Sequence, residues 1–374
     1  MTRILMAALA SVTALALTTG TAAAATPPSG SKAAAPAASS DEVFAVTDRL
    51  ARQIAGALAD RHVLDRTVSA TASGPADLVT LERDTALGGS TRAANAAVLA
   101  AKGLPATGGS LLRVRLADPT MRAALARGEV PLVAAVPSDD EPAAVTAYDP
   151  SGGRVRLDPV KPPARPVLVV DVDVAKALPM GLQVMRDTLA SQGITEARPS
   201  ATTQSFATAQ AGGYWATKVT AVRLNDDKEP WIKGAAEIYS VVGGFRLDGK
   251  PAVDIVQMPY LDNDGTTYYP NQLLVHFSAY KYNLADVVMM EDDGDTNYQA
   301  LAQSIAGALL TIVDYGAYVP LVNAIISAIP TSWWTDDPDY VDSWYTLSTS
   351  SSGRLNGAAG NGWMDVTPYW VSEL

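Results

Sequence analysis

Residues 219–242 read VTAVRLNDDKEPWIKGAAEIYSVV, and their pattern decides how the second half of the chain folds. Two apolar, β-rich runs, 219–224 and 237–242, flank a turn-rich stretch that carries Asp226, Asp227 and Glu229. Runs of this length and punctuation predict strands. The same pattern recurs at 253–258, 273–280, 286–290, 345–349 and 363–366. Short strands at such spacing predict an antiparallel β-sandwich, C2-like or Ig-like, over 214–374. A helical, apolar insertion at 298–329 interrupts it, divided by Asp314 and Pro320 into pieces too short to cross a bilayer.

Upstream the periodicity changes. Ser39 and Glu42 have capping-box spacing, and Val43, Val46, Leu50, Ile54 and Leu58 recur at helical intervals, so 41–60 predicts an amphipathic helix. Further helices are expected at 90–103, 118–128 and 177–192, and strands at 111–116, 130–136, 144–148, 154–157 and 167–172. Together they predict an α+β scaffold domain over 41–193. Residues 194–213 lack periodicity and end in Gly212-Gly213, the pattern of a linker. At the start, Arg3, an apolar run over 4–17 and small residues to Ala25 predict a signal peptide at 1–25 and a secreted protein. The Pro/Ala/Ser-rich 26–40 reads as a disordered spacer.

Charge divides with the periodicity. Residues 26–213 hold 19 Lys+Arg against 19 Asp+Glu, whereas 214–374 hold 8 against 20, a net of −12. Such a surface repels phosphate backbones, which argues against nucleic acid as a partner. Zero cysteines exclude disulfides, thiol catalysis and cysteine-held metals. Only His62 and His276 are present, which excludes an HExxH protease, and no G-x-S-x-G elbow occurs. No residue stands out as catalytic.

In an antiparallel sandwich, the loops after alternate strands emerge at one end. Those loops are 225–229, 262–266 and 291–297, and they hold nine carboxylates and one lysine. Like charges a few ångströms apart cost about 1 kcal/mol per pair even in water. A hard cation removes that cost, so Ca2+ is the expected cofactor. Its candidate ligands are Asp226, Asp227, Glu229, Asp262, Asp264, Glu291, Asp293, Asp295 and Asn297. Tyr298 stands where an EF-hand needs Gly, so that motif is rejected. Solvated acidic turns and a catalytic carboxylate cluster stay open as alternatives. Trp231, Tyr268, Tyr269 and Tyr298 crowd the same loops, either as a ligand platform or as plugs at the end of the core.

The runs 223–239 (RLNDDKEPWIKGAAEIY) and 258–272 (MPYLDNDGTTYYPNQ) resemble a family of exported bacterial proteins known as domain of unknown function 3103. The resemblance implies export and one recurring architecture; it brings no activity or site residues. Three functions follow from the residues. The first is a calcium-stabilised binding or interaction protein that meets an extracellular protein or a carbohydrate. The second is a glycoside-type hydrolase using a pair such as Asp227 and Glu291. The third is a membrane-active protein working through 298–329.

Overall fold

The apolar stripe at 41–60 folds as α1 (Ala38–Ala57), burying Val43, Leu50 and Ile54 on one face, with Leu58 buried in the turn just after it. The computed structural model describes residues 38–139, 142–196, 212–226, 231–234, 236–292, 294–312, 314, 316–328 and 340–372. The expected signal peptide, most of both linkers, and Asp227, Glu229 and Asp293 lie outside those residues. A second helix, α2 (Arg61–Thr71), carries no clear apolar stripe and was not legible in the sequence; Asp60 starts it by accepting from the His62 and Val63 N–H groups. After it come α3 (Leu78–Leu81), α4 (Gly88–Ala101), α5 (Arg122–Ala126) and α6 (Val174–Ser191).

The first half builds a six-stranded sheet from β1 (Ala76–Asp77), β2 (Leu112–Leu116), β3 (Leu132–Ala135), β4 (Val145–Tyr148), β5 (Arg154–Leu157) and β6 (Val167–Val172). The spatial order is β1-β2-β6-β3-β4-β5, antiparallel throughout except for the parallel pair β3 and β6. Every residue of β6 is buried. Leu168, Val170 and Val172 join the core around α1, α4 and α6, while Val167 and Val169 face a second cluster that includes Ile232. A strand covered on both faces reads as a near-continuous apolar run, as VLVVDV does apart from Asp171.

The second half holds β7 (Gly213–Leu224), β8 (Ile238–Phe245), β9 (Pro251–Gln257), β10 (Thr267–Tyr268), β11 (Gln272–His276), β12 (Leu284–Glu291), β13 (Tyr340–Ser348), β14 (Gly353–Asn356) and β15 (Gly362–Ser372). They form two antiparallel sheets. In one, β7 pairs with β15 on one side and with β10 and β11 on the other; the second runs β13-β12-β8-β9. Val219, Val222, Leu274 and Met364 of the first sheet share a core with Val242, Val256, Val287 and Trp344 of the second. Residues 277–279 form a 3-10 turn rather than the continuation of a strand. β10 and β14, two and four residues long, are too short to leave a periodic signal.

The insertion is helical as expected, with α7 (Tyr298–Leu309) and α8 (Val322–Ala328). Its apolar face covers the outer side of the four-stranded sheet: Leu301, Ile305, Leu309, Val322 and Ile325 pack with Tyr239, Val241, Phe245 and Val288. The same cluster takes in Leu178, Leu182 and Met185 of α6 and residues of α1 and α4. Pro36–Leu374 is one compact unit, so the change of composition near residue 213 falls within a continuous core.

Gly181 of α6 lets that core close, because any Cβ there would overlap the Tyr298 ring. Gly181→Ala should lower stability by roughly 1–3 kcal/mol through overpacking. Urea unfolding against wild type, with an unchanged m-value, is the measurement.

Candidate functional site: a charged crevice beneath the acidic loops

The parallel strands β3 and β6 end at the same edge of the six-stranded sheet, a common place for a ligand crevice in α/β structures. Here the edge is closed by segments from the second half. Arg113, Asp171, Lys233, Glu237, Asp292 and Asp295 line the crevice with neighbouring apolar groups. The free space inside is about 40 Å3. That is room for very few water molecules.

Two arginines of β2 organise it. Arg113 grips Asp171 in a two-pronged pair, Nε to Oδ1 at 2.8 Å and Nη2 to Oδ2 at 3.2 Å, and also lies 3.5 Å from Asp173. Arg115 Nε donates to Asp171 Oδ2 at 2.6 Å, and its Nη2 donates to the carbonyls of Ile232 and Lys233, each at 2.6 Å. A single buried guanidinium thus ties the six-stranded sheet to the segment leading into β8.

Behind the crevice, Lys102 at the end of α4 is 0% exposed, with Nζ 3.6 Å from Asp292 Oδ1 and 4.7 Å from the centre of the Tyr298 ring. Tyr298 donates its hydroxyl hydrogen to Asp292 Oδ2, and the Gly294 N–H donates to Oδ1 at 3.0 Å. Burial, reinforced by Asp292, pushes the Tyr298 hydroxyl well above its ordinary range. Burial, then the Asp292 charge, raises Glu237 to about 8 against partial relief from Arg113. Near neutral pH this side chain is a proton donor in a nest of carboxylates.

The candidate metal ligands therefore fall into two groups. Asp226, Asp262 and Asp264 stand at the end of the five-stranded sheet. Their loops are neighbours, since the Gly265 N–H donates to Leu224 O at 2.9 Å and Thr267 pairs with Arg223. The turn at 357–361 joins them through Asn361, whose Oδ1 accepts from the Asp226 N–H at 3.1 Å. Asp262 Oδ1 already accepts from the Tyr268 hydroxyl at 2.7 Å and from Asn263 at 2.9 Å.

The third loop turns inward instead. Glu291 is 0% exposed, and Asp295 lines the crevice. Asn297 is a double helix cap: its Oδ1 accepts from Ala300 N–H at 2.9 Å, and its amide donates to Ala101 O at 2.8 Å. Lys102 of the first half lies against this loop, and Arg113 lines the same crevice as Asp292 and Asp295. Among the described residues no group of three or more His, Asp or Glu is placed to hold a metal. Asp227, Glu229 and Asp293 lie outside them.

The four aromatics are not brought together. Tyr298 is wholly buried; Trp231 packs on the second face of the six-stranded sheet and donates to Asp158 O at 3.3 Å. Tyr268 is half-buried against Tyr260, and only Tyr269 stands clear, 73% exposed. His276 is half-buried, its Nδ1 3.0 Å from the Tyr214 hydroxyl. Arg113, Arg115, Lys102 and Glu237 were missed because no local motif marks them; the −12 imbalance was the one sequence signal that compensation must come from elsewhere.

Removing one partner of a buried pair leaves the other uncompensated. Lys102→Met should cost about 3–5 kcal/mol, and Lys102→Met with Asp292→Asn should recover a substantial part. A double-mutant cycle by chemical denaturation measures the difference.

Comparison with curated proteins and with solved structures finds no match in either set. The profile of a family described as "Protein of unknown function (DUF3103)" matches residues 46–373, which takes in the six-stranded sheet, the crevice and both sheets of the second half. On that match the chain belongs to the DUF3103 family.

Proposed function

We propose that the protein is an exported binding protein whose working surface is the acidic rim of the five-stranded sheet, with a hard divalent cation such as Ca2+ bound there. Export rests on the N-terminal pattern of Arg3, the apolar run over 4–17 and the small residues to Ala25. The two sheets with a common core support a β-sandwich, of the kind that presents loops at its ends. The observation that carries the cation is the meeting of the loops after β7 and β9, which sets Asp226, Asp262 and Asp264 at one end of a sheet. Asp227 and Glu229 belong to the same acidic stretch in the sequence. Calcium accepts six to eight oxygens from loops of this composition. The exposed Tyr269 offers an apolar contact at that rim for an extracellular protein or carbohydrate.

The other two functions draw less support. Glu291, one acid of the hydrolase pair, is fully buried at the end of β12. Among the described residues no helix is long and apolar enough to cross a membrane, and the apolar side chains of α7 and α8 are spent on the four-stranded sheet.

Calcium at 100 times its dissociation constant should add about 2.7 kcal/mol to stability, read as a rise of several degrees in melting temperature that chelator reverses. Asp262→Asn with Asp264→Asn should abolish the rise. Identical melting with calcium and with chelator would overturn the cation; a rise in wild type that the double variant retains would move it elsewhere.

A further inference from the structure

The outer face of the five-stranded sheet carries a charge opposite to that of the half it belongs to. Val219, Val222, Met364 and Val366 point into the core shared with the second sheet, so their neighbours along β7 and β15 point outward. Cross-strand pairing sets the outer residues in rows: Trp363 beside Arg223 nearest the acidic rim, then Arg354 beside Asp365, then Lys218, then Tyr369. From Trp363 to Tyr369 is six steps along β15, about 20 Å. Rings and cations are paired along that length. Arg354 Cζ lies 3.5 Å from the centre of the Trp363 ring, while its Nε and Nη2 donate to Asp365 at 3.1 and 2.9 Å. Those bonds hold the guanidinium above its ordinary range, and Tyr269, 73% exposed at the rim end, adds to the effect. Lys218 is held by a ring instead of a carboxylate: its Nζ stands 5.0 Å from the centre of Tyr369, which is 43% exposed. Among the described residues the face has three of the eight Lys and Arg of 214–374 and one of their twenty acids, a local net of +2 inside a half of net −12.

We propose that this face binds an acidic polysaccharide, whose sugar rings lie on the exposed tyrosines and whose carboxylates meet Lys218 and Arg223. Aromatic rings offer flat apolar surface to the C–H faces of a sugar, and cations spaced along a strand suit carboxylates spread along a chain. An open sheet face accepts an extended chain where a small molecule would need an enclosing pocket. Small β-barrels bind oligosaccharides on a sheet face in the same way. Nucleic acid fits less well, since a phosphate at about every 3.4 Å of each strand is a denser charge than three cations beside an acidic rim can answer. The proposal rests on the reading of the protein as a binding protein, but it needs no ion at the rim.

Calorimetric titration of the full chain with polygalacturonate, in chelator, tests the face against dextran, a neutral glucan, and against single-stranded oligo(dT). Polygalacturonate should bind, dextran should bind at least about tenfold more weakly, and added salt should weaken the polygalacturonate complex. Tyr369→Ala and Lys218→Ala should each weaken it at least about fivefold while melting as wild type does, since neither side chain belongs to the core. Trp370→Ala, on the opposite side of β15, should leave binding unchanged. Failure to bind polygalacturonate overturns the proposal even where calcium raises the melting temperature. Equal binding of dextran, tighter binding of oligo(dT), or loss on Trp370→Ala alone overturns it as well. Binding in chelator that falls with both Tyr369→Ala and Lys218→Ala supports the face whether or not the rim takes calcium.

Discussion

Asp171 receives two arginines in the interior of this protein, and one of them reaches on to hold two carbonyls of the second half. With Lys102 against Asp292, these contacts join a charge-balanced half to one carrying a net of −12. The other elements conform to that join. The order of packing around it, α4 onto the start of α7 and the β8 segment onto β2, fixes where the loop at 291–297 must go.

A buried ion pair contributes little net stability, since the cost of stripping water from two charges offsets most of their attraction. An apolar seam of equal volume could hold as firmly. What an ionic seam adds is intolerance of mismatch: Asp171 without its arginines, or Asp292 without Lys102, is a charge in a space that holds almost no water. The hydrophobic contact of α6 and α7 at Gly181 supplies attraction, and the charges select the alignment.

Much of the architecture was legible because it is periodic. The stripe of α1 and the apolar, β-rich runs of β6, β8 and β12 are each local, and each folded as the pattern said. The loop at 291–297 was not legible. Asp293, Asp295 and Asn297 carry the spacing of calcium ligands, but Asn297 also precedes the apolar series Tyr298, Leu301, Ala302, Ile305, which is the signature of a helix start. Asparagine serves both roles with the same oxygen. The deciding partners, Lys102 and Ala101, come from far earlier in the chain, where no count of nearby charge can see them.

β7 pairs along its whole length, Gly213 to Leu224, with β15 at Gly362–Ser372, across nearly the full span of the second half. A polypeptide growing from the ribosome therefore holds this central strand unzipped, a sticky ribbon of Trp215, Val219 and Val222, until its distant mate has been made. Chains cut short anywhere in between would carry that open ribbon permanently and should clump, whereas loss of α2 alone would leave it sheathed.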